Sequence, residues 1–297
     1  MNEYIIENEE LTLKIKDSGA ELTSIKEKVT QIEYLWNADP AYWKRSSPIL
    51  FPIVGSLNNQ SYRYNGNTYS MSQHGFARDM VFQLKSSSDT EIWFVLEAND
   101  ETIKVYPFHF VLEVGYQLSG RQITVMWKVI NQDSFPMYFS IGGHPAFLCP
   151  WNDKDTQSDY FIVFDSDKPL QYTKINDQGL AIANSIHESN ILNTNQGYLP
   201  IHPHLFDQDA IVIENNQCHK VSLANKDKKP YLTVSFDAPL FGLWSPAKRN
   251  APFICIEPWY GRCDSKGFQG TLEEREWGNT LEAGKTFEAS YTIDIAR

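Results

Sequence analysis

Apolar and polar residues alternate with a period of two along much of this chain. Leu11, Leu13 and Ile15 alternate with polar neighbours and run into Asp17-Ser18-Gly19, a turn. Phe110, Leu112, Val114, Tyr116 and Leu118 repeat the pattern, Ser119-Gly120 turns the chain, and Ile123, Val125, Trp127 and Val129 alternate straight back. Successive side chains of a strand point to opposite faces, so this reads as a long hairpin with one face of each arm buried. Tyr62-Arg63-Tyr64 and Thr68-Tyr69 flank Asn65-Gly66, a pair suited to the positive φ of a tight hairpin turn. Further short apolar runs stand at 92–96, 139–141, 160–164, 211–213, 232–236, 253–256 and 287–293. Helical periodicity is scarce, and only short turns of helix are expected, near 40–43, 203–206 and 272–277. Many short strands punctuated by turn residues predict an all-β chain, a large antiparallel β-sandwich with few short helices.

The chain has 297 residues, which would allow two ordinary domains, but all-β units often exceed 200 residues. The polar stretch at 150–158 is too short for a domain linker and no internal repeat is evident, so 1–297 reads as a single domain. Apolar residues make up 42%, enough for a large core, and aromatic residues 13%, which also offers flat faces for stacking on sugar rings. A formal charge of −11 without a long Lys/Arg cluster argues against nucleic acid or an anionic membrane as partner. The run MNEYIIENEELTLKIK lacks the basic start and apolar stretch of a signal peptide. No window approaches the roughly 20 apolar residues of a membrane span. Cys149, Cys218, Cys255 and Cys263 show no CxxC pairing and read as reduced thiols. The expectation is a cytoplasmic protein, monomer or homodimer, acting on a small molecule.

Three stretches combine ionisable groups with turn residues or apolar strands. In His74-Gly75-Phe76-Ala77-Arg78-Asp79, glycine beside histidine lets backbone approach a ligand, and Arg78 can reach the same pocket. In Ile141-Gly142-Gly143-His144-Pro145, two glycines and His-Pro read as a constrained turn holding an imidazole at the mouth of a sheet. A structural turn with a core histidine is the plainer alternative. In Phe253–Arg262, alternation puts Phe253, Cys255 and Glu257 on one face and Ile254 and Ile256 on the other. A carboxyl in an apolar strand is costly to bury, and partial desolvation would raise its pKa toward the range of a general base. The plainer reading of Glu257 is a salt bridge to Arg262 or Arg249. His202 and His204 flank Pro203 without a nearby Cys or acidic cluster, so no metal site is expected. G-x-S-x-G elbow, Walker loop and dinucleotide fingerprint are all absent. An imidazole-plus-carboxylate site remains, needing neither metal nor organic cofactor.

Taken together these stretches resemble the aldose 1-epimerase (galactose mutarotase) superfamily, in its LacX-type branch. The matching runs are SPILFPIVGSL (47–57), HGFARD (74–79), GGHPAF (142–147), LFDQDAIV (205–212), FGLWSP (241–246) and FICIEPWYG (253–261), in order over most of the chain. The resemblance implies the galactose mutarotase-like supersandwich and an isomerase that interconverts α and β anomers of a hexose, galactose or a related aldose. It implies Glu257 as general base and His144 as general acid. His74 would polarise the sugar near its ring oxygen, and Asp209 would accept hydrogen bonds from ring hydroxyls. Arg78, Trp244 and Trp259 are further expected substrate contacts, with Tyr260 another candidate wall. We expect Glu257 and His144 on opposite sides of the bound pyranose.

Members of the branch carry an arginine directly after the glycine of FPIVG, where this chain has Ser56. That bears on the substrate, since a lost cation weakens the case for a phosphorylated sugar. Two alternatives stay open. A hexose-6-phosphate 1-epimerase would need cations at the pocket rim, for which Arg45, Arg78, Arg249 and Arg262 are candidates. A non-catalytic carbohydrate-binding or sensing protein would keep the aromatic faces and lose acid or base.

Overall fold

The longest alternating runs become the longest strands. Phe110–Ser119 and Gln122–Asn131 pair antiparallel with Gln122 opposite Ser119, the predicted hairpin. In the second arm Ile123, Val125, Trp127 and Val129 are buried while the intervening residues remain partly exposed. Burying each such side chain contributes about 1.5–3 kcal/mol. The first arm departs from the simple pattern, being buried on both faces as far as Tyr116. Its outward face is covered too. Trp93 lies over Gly115, where a Cβ would stand 2.6 Å from the indole, and Glu113 is paired with Lys85.

The computed structural model describes residues 2–152, 154–182 and 190–297. Among these, a nine-stranded sheet runs from Tyr198–Pro200 through Thr286–Ile295, Gln122–Asn131 and Phe110–Ser119 to Gln83–Ser87. An eight-stranded sheet has Leu240–Trp244, Phe253–Tyr260 and Ile141–Gly143 side by side, and Ala146–Leu148 also pairs with Phe253–Tyr260. One apolar cluster joins them, drawing Val125, Trp127 and Ile293 from the first and Ile213, Leu243, Ile254 and Ile256 from the second. This is the expected all-β sandwich. A meander of Glu3–Glu7, Leu11–Lys16 and Glu21–Glu27 adds Leu13, Ile15 and Leu22 to the same cluster. The hairpin Ser61–Tyr64/Asn67–Ser70 turns at Asn65 and Gly66 with φ of +46° and +76°.

Two elements differ from the sequence expectation. Asp100–Val105 is an α-helix that periodicity misses because it is under two turns long. Its signal is the cap: the Asn99 side chain accepts from the N–H groups of Glu101 and Thr102, and the Thr102 hydroxyl accepts from Asn99 N–H. The apolar run at 139–141 is two strands, not one. Met137–Phe139 pairs with Asn279–Leu281, whereas Ile141–Gly143 joins the eight-stranded sheet, the break falling at Ser140, whose N–H donates to Pro52 O. The expected helical turns reduce to hydrogen-bonded turns at Asp39–Trp43 and His202–Leu205 and a 3₁₀ turn at Leu272–Glu274.

The strand Phe253–Tyr260 is buried on both faces, with the predicted alternation. Ile254 and Ile256 face the main core, while Phe253 and Cys255 belong to an outer cluster with Trp36, Ala146 and Ala251. Glu257 continues that outer face.

Candidate active site

The outer face of the eight-stranded sheet carries a cleft of about 900 Å³. His74, Arg78, His144, Asp209, Trp244, Glu257 and Trp259 all line it, so seven residues spread over 186 positions of sequence converge. Tyr260 does not; it packs against Phe287 in the core. Of the other cations considered for the rim, only Arg249 lines the cleft. Arg45 pairs with Asp79, and Arg262 is buried against Glu214 and Glu276.

Glu257 lies opposite Gly242 on the neighbouring strand. Glycine is required there and at Gly142 because the Trp259 indole lies across the sheet between them. A Cβ at Gly142 would stand 2.5 Å from its Cδ1, and one at Gly242 2.7 Å from its Cη2. The Gly-Gly-His-Pro stretch is therefore not a glycine turn. Both glycines sit inside strand Ile141–Gly143, where what matters is the missing side chain rather than a positive φ. His144 then leaves the end of that strand.

His144 Nε2 stands 3.2 Å from Glu257 Oε2. The two groups are side by side, not across a ring from one another. Among the described residues no arginine reaches the carboxyl, which excludes the salt-bridge reading: Arg262 is held elsewhere, and Arg249 donates to Ala41 O. Glu257 is only 1% exposed, and burial, then the nearby charge of Asp209, push its carboxyl well above the usual carboxylate range. The Trp259 indole beside it works weakly the other way. Burial, then Arg78 and Arg45, push His144 down to about 3. Both shifts disfavour charge, so the pair carries one proton over a wide pH interval.

His74 is held by its own backbone surroundings. Its φ is +66°, and Nδ1 accepts the Gly55 N–H at 3.1 Å, which leaves the ring proton on Nε2 as a donor. Burial, then His144, Arg78 and Arg45, keep its pKa well below the ordinary imidazole value, so the ring is neutral. Asp209, also at positive φ, accepts Ala210 N–H at 2.8 Å, and burial raises its carboxyl. Arg78 donates to Gln73 O, while its buried Nε has no hydrogen-bond partner among the described residues. The same is true of Glu257 Oε1, His144 Nδ1 and Trp259 Nε1. Buried polar groups are normally satisfied, so a cluster of exceptions in one cleft marks a surface built to meet a polar ligand.

Sequence reasoning missed Trp43, whose ring stacks on His144 with centroids 4.7 Å apart, and Lys174, Asn176 and Asp177, which line the cleft wall. Trp43 sits in a loop without periodicity, and only the fold brings it over the imidazole. Ser56 is absent from the lining. It is buried under Gly179, where a Cβ would stand 2.6 Å from its Oγ. The donor atoms of His144, Cys255 and Glu257 lie within 4.8 Å of one another, the one such group of metal-type donors among the described residues. Burial and the Glu257 charge hold the Cys255 thiol well above its ordinary range, as a neutral thiol. His204 instead pairs with Asp207 at an exposed site.

The family model for aldose 1-epimerase matches residues 2–293. The chain is 33% identical over 305 residues to the LacX protein of Lactococcus lactis subsp. lactis, covering 98% of each. It superposes on a galactose mutarotase related enzyme from Lactobacillus acidophilus with a TM-score of 0.93 at 33% identity, over 100% of this chain and 98% of that one. A galactose mutarotase-like protein from Lactobacillus casei gives 0.91 at 32%, over 99% and 100%. No helix among the described residues is long and apolar enough to cross a membrane. With the motifs, the sandwich and these relatives in agreement, the chain belongs to the aldose 1-epimerase family of isomerases.

Proposed function

We propose that this chain is a mutarotase that interconverts the α and β anomers of an uncharged hexose, galactose or a close relative, with Glu257 and His144 as its acid–base pair. The observation that carries the reading is the contact of a buried imidazole and a buried carboxyl, 3.2 Å apart at the wall of a cleft. Opening a cyclic hemiacetal removes a proton from the C1 hydroxyl and adds one to the ring oxygen. Both oxygens are bonded to the same carbon, so base and acid must be neighbours on one edge of the sugar. The side-by-side geometry suits this better than the flanking arrangement expected from sequence.

Glu257 takes the proton of the C1 hydroxyl as the C1–ring oxygen bond breaks, and His144 in its protonated form delivers one to the ring oxygen. The open aldehyde rotates about C1–C2 and recloses on its other face, with each group reversing its role. The pair begins and ends with one proton. At rest the opposed shifts keep the single proton on Glu257, and passing it to His144 across the 3.2 Å contact sets up the carboxylate and imidazolium that start the reaction. His74 Nε2–H is a neutral donor for a sugar oxygen, Asp209 an acceptor for a ring hydroxyl, and Trp244 and Trp259 offer apolar walls.

A phosphorylated hexose is the second reading, favoured by Arg78, Lys174 and Arg249 on the lining. Against it, Asp177, Asp207, Asp209 and Glu257 line the same cleft, and the cations do not outnumber them. Polarimetry of freshly dissolved α-D-galactose and α-D-glucose, with NMR of α-glucose 6-phosphate, tests the ranking. The reading expects faster mutarotation of a neutral hexose. Acceleration of the phosphate ester alone overturns the choice of substrate, and no acceleration of any sugar overturns the activity.

A further inference from the structure

The His144 imidazole lacks the usual device that orients a working histidine. Its Nδ1 has no hydrogen-bond partner in any other described residue, so no carbonyl or carboxylate from elsewhere in the fold fixes the ring from behind. Its backbone bonds and its stacked ring partner come from one segment, while the Trp244 and His74 rings meet it edge-on. His144 N–H donates to Pro48 O at 3.1 Å and Ala146 N–H to Ser46 O at 2.9 Å. Pro145 between them has no N–H, so every main-chain donor of the 144–146 triplet binds this segment. Three residues before Ser46, Trp43 stacks on the imidazole, interplanar angle 29°, with its own carbonyl tied to Trp36 Nε1 at 2.8 Å.

The segment is in turn gripped by one carboxylate. Glu21, at the start of strand Glu21–Glu27 and fully buried, accepts the N–H groups of Ser46 and Ser47 on a single oxygen, at 2.7 and 2.9 Å. Its other oxygen meets the Lys16 ammonium at 2.5 Å, across the hairpin from its register partner. Glu21 is not among the residues that line the cleft. A buried charged pair is weak as a source of stability, and here its hydrogen bonds lead straight to the histidine.

We infer that Glu21 is a positioning residue: by accepting from Ser46 and Ser47 it sets the loop that fixes the His144 backbone and lays Trp43 on its ring. For catalysis the inference rests on the mutarotase reading; for the placement of His144 it does not. The acceptor, not the charge, is the working part. Displacements of about 1 Å at a reacting group can cost about 10²-fold in rate.

The test compares Glu21→Gln, which keeps the acceptor and loses the charge, with Glu21→Asp, which keeps the charge and withdraws the acceptor by one methylene. Glu21→Ala is the full deletion. Two readouts are taken on folded protein: the ring resonances of His144 by NMR, sensitive to the stacked Trp43, and kcat and KM for anomer exchange. The expected result is wild-type His144 resonances and most of kcat in Glu21→Gln. Glu21→Asp should show shifted resonances and kcat lowered by about 10²-fold with KM little changed. If Glu21→Ala does not fold, the Gln/Asp contrast still decides. The opposite order, or unshifted His144 resonances in Glu21→Asp, overturns the inference. A wild type without mutarotase activity would sink the proposed function and leave the NMR arm standing.

Discussion

Glu257 and His144 do their proposed work because the protein denies both of them water. Free in solution the carboxyl would ionise and the imidazole would titrate near pH 6.5. In the cleft, burial and Asp209 raise the first, while burial, Arg78 and Arg45 lower the second to about 3. Below about 3 both would be protonated and no base would remain; above the raised value of Glu257 both would be deprotonated and no acid would remain. His144 is therefore expected to give no inflection near pH 6.5 and activity to fall toward those two limits, as a profile of kcat/KM against pH would show. An inflection near 6.5 would mean that His144 titrates as an ordinary exposed imidazole. The identities of these two residues were legible in the sequence, since a lone glutamate in an apolar strand and a His-Pro after two glycines are costly choices. Their contact was not legible, because 113 positions separate them and only strand pairing closes the gap. Trp43 and Glu21 gave no signal at all: one looks like loop filler and the other like a surface strand residue.

The elements show the same division. Period-two alternation located the long hairpin and both faces of Phe253–Tyr260, because half-buried and doubly buried strands sort their side chains by parity. The helix Asp100–Val105 and the break at Ser140 escaped, one being too short for a period and the other set by which sheet each half joins. Gly142 was read as part of a turn, and Gly242 drew no notice. Gly142 and Gly242 stand where Trp259 crosses the sheet, so the fitted surface of the cleft depends on two absent side chains. Gly242→Ala would place a Cβ 2.7 Å from the indole. Displacing Trp259 is expected to cost about 1–3 kcal/mol of stability and to raise KM, since the ring also lines the cleft. Denaturant unfolding together with sugar kinetics measures both; wild-type values for each would show that the indole has room to spare.

Across the whole molecule, one apolar cluster takes in residues from Ile6 near the start to Ile295 near the end, with both large sheets contributing. A continuous core of that kind predicts a single cooperative unfolding transition, in keeping with the one-domain reading of the sequence. Two well-separated calorimetric transitions would divide the chain. The order of the motifs was enough to suggest this architecture, yet which wall of it carries the cleft could not be read from them. That follows from the eight-stranded sheet being covered on its outer face by the clusters around Trp36 and Trp259, with His74, Arg78 and Asp209 arriving from connections between strands.

The account turns on Glu257 and His144 acting as one unit on a sugar. Polarimetry of fresh α-D-galactose with wild type, Glu257→Gln, His144→Asn and the double variant tests this directly. Each single change is expected to remove about 10²–10⁴-fold of the acceleration, and the double change little more than either alone. Single variants that keep wild-type rates while remaining folded would contradict the account, as would losses in the two that simply multiply.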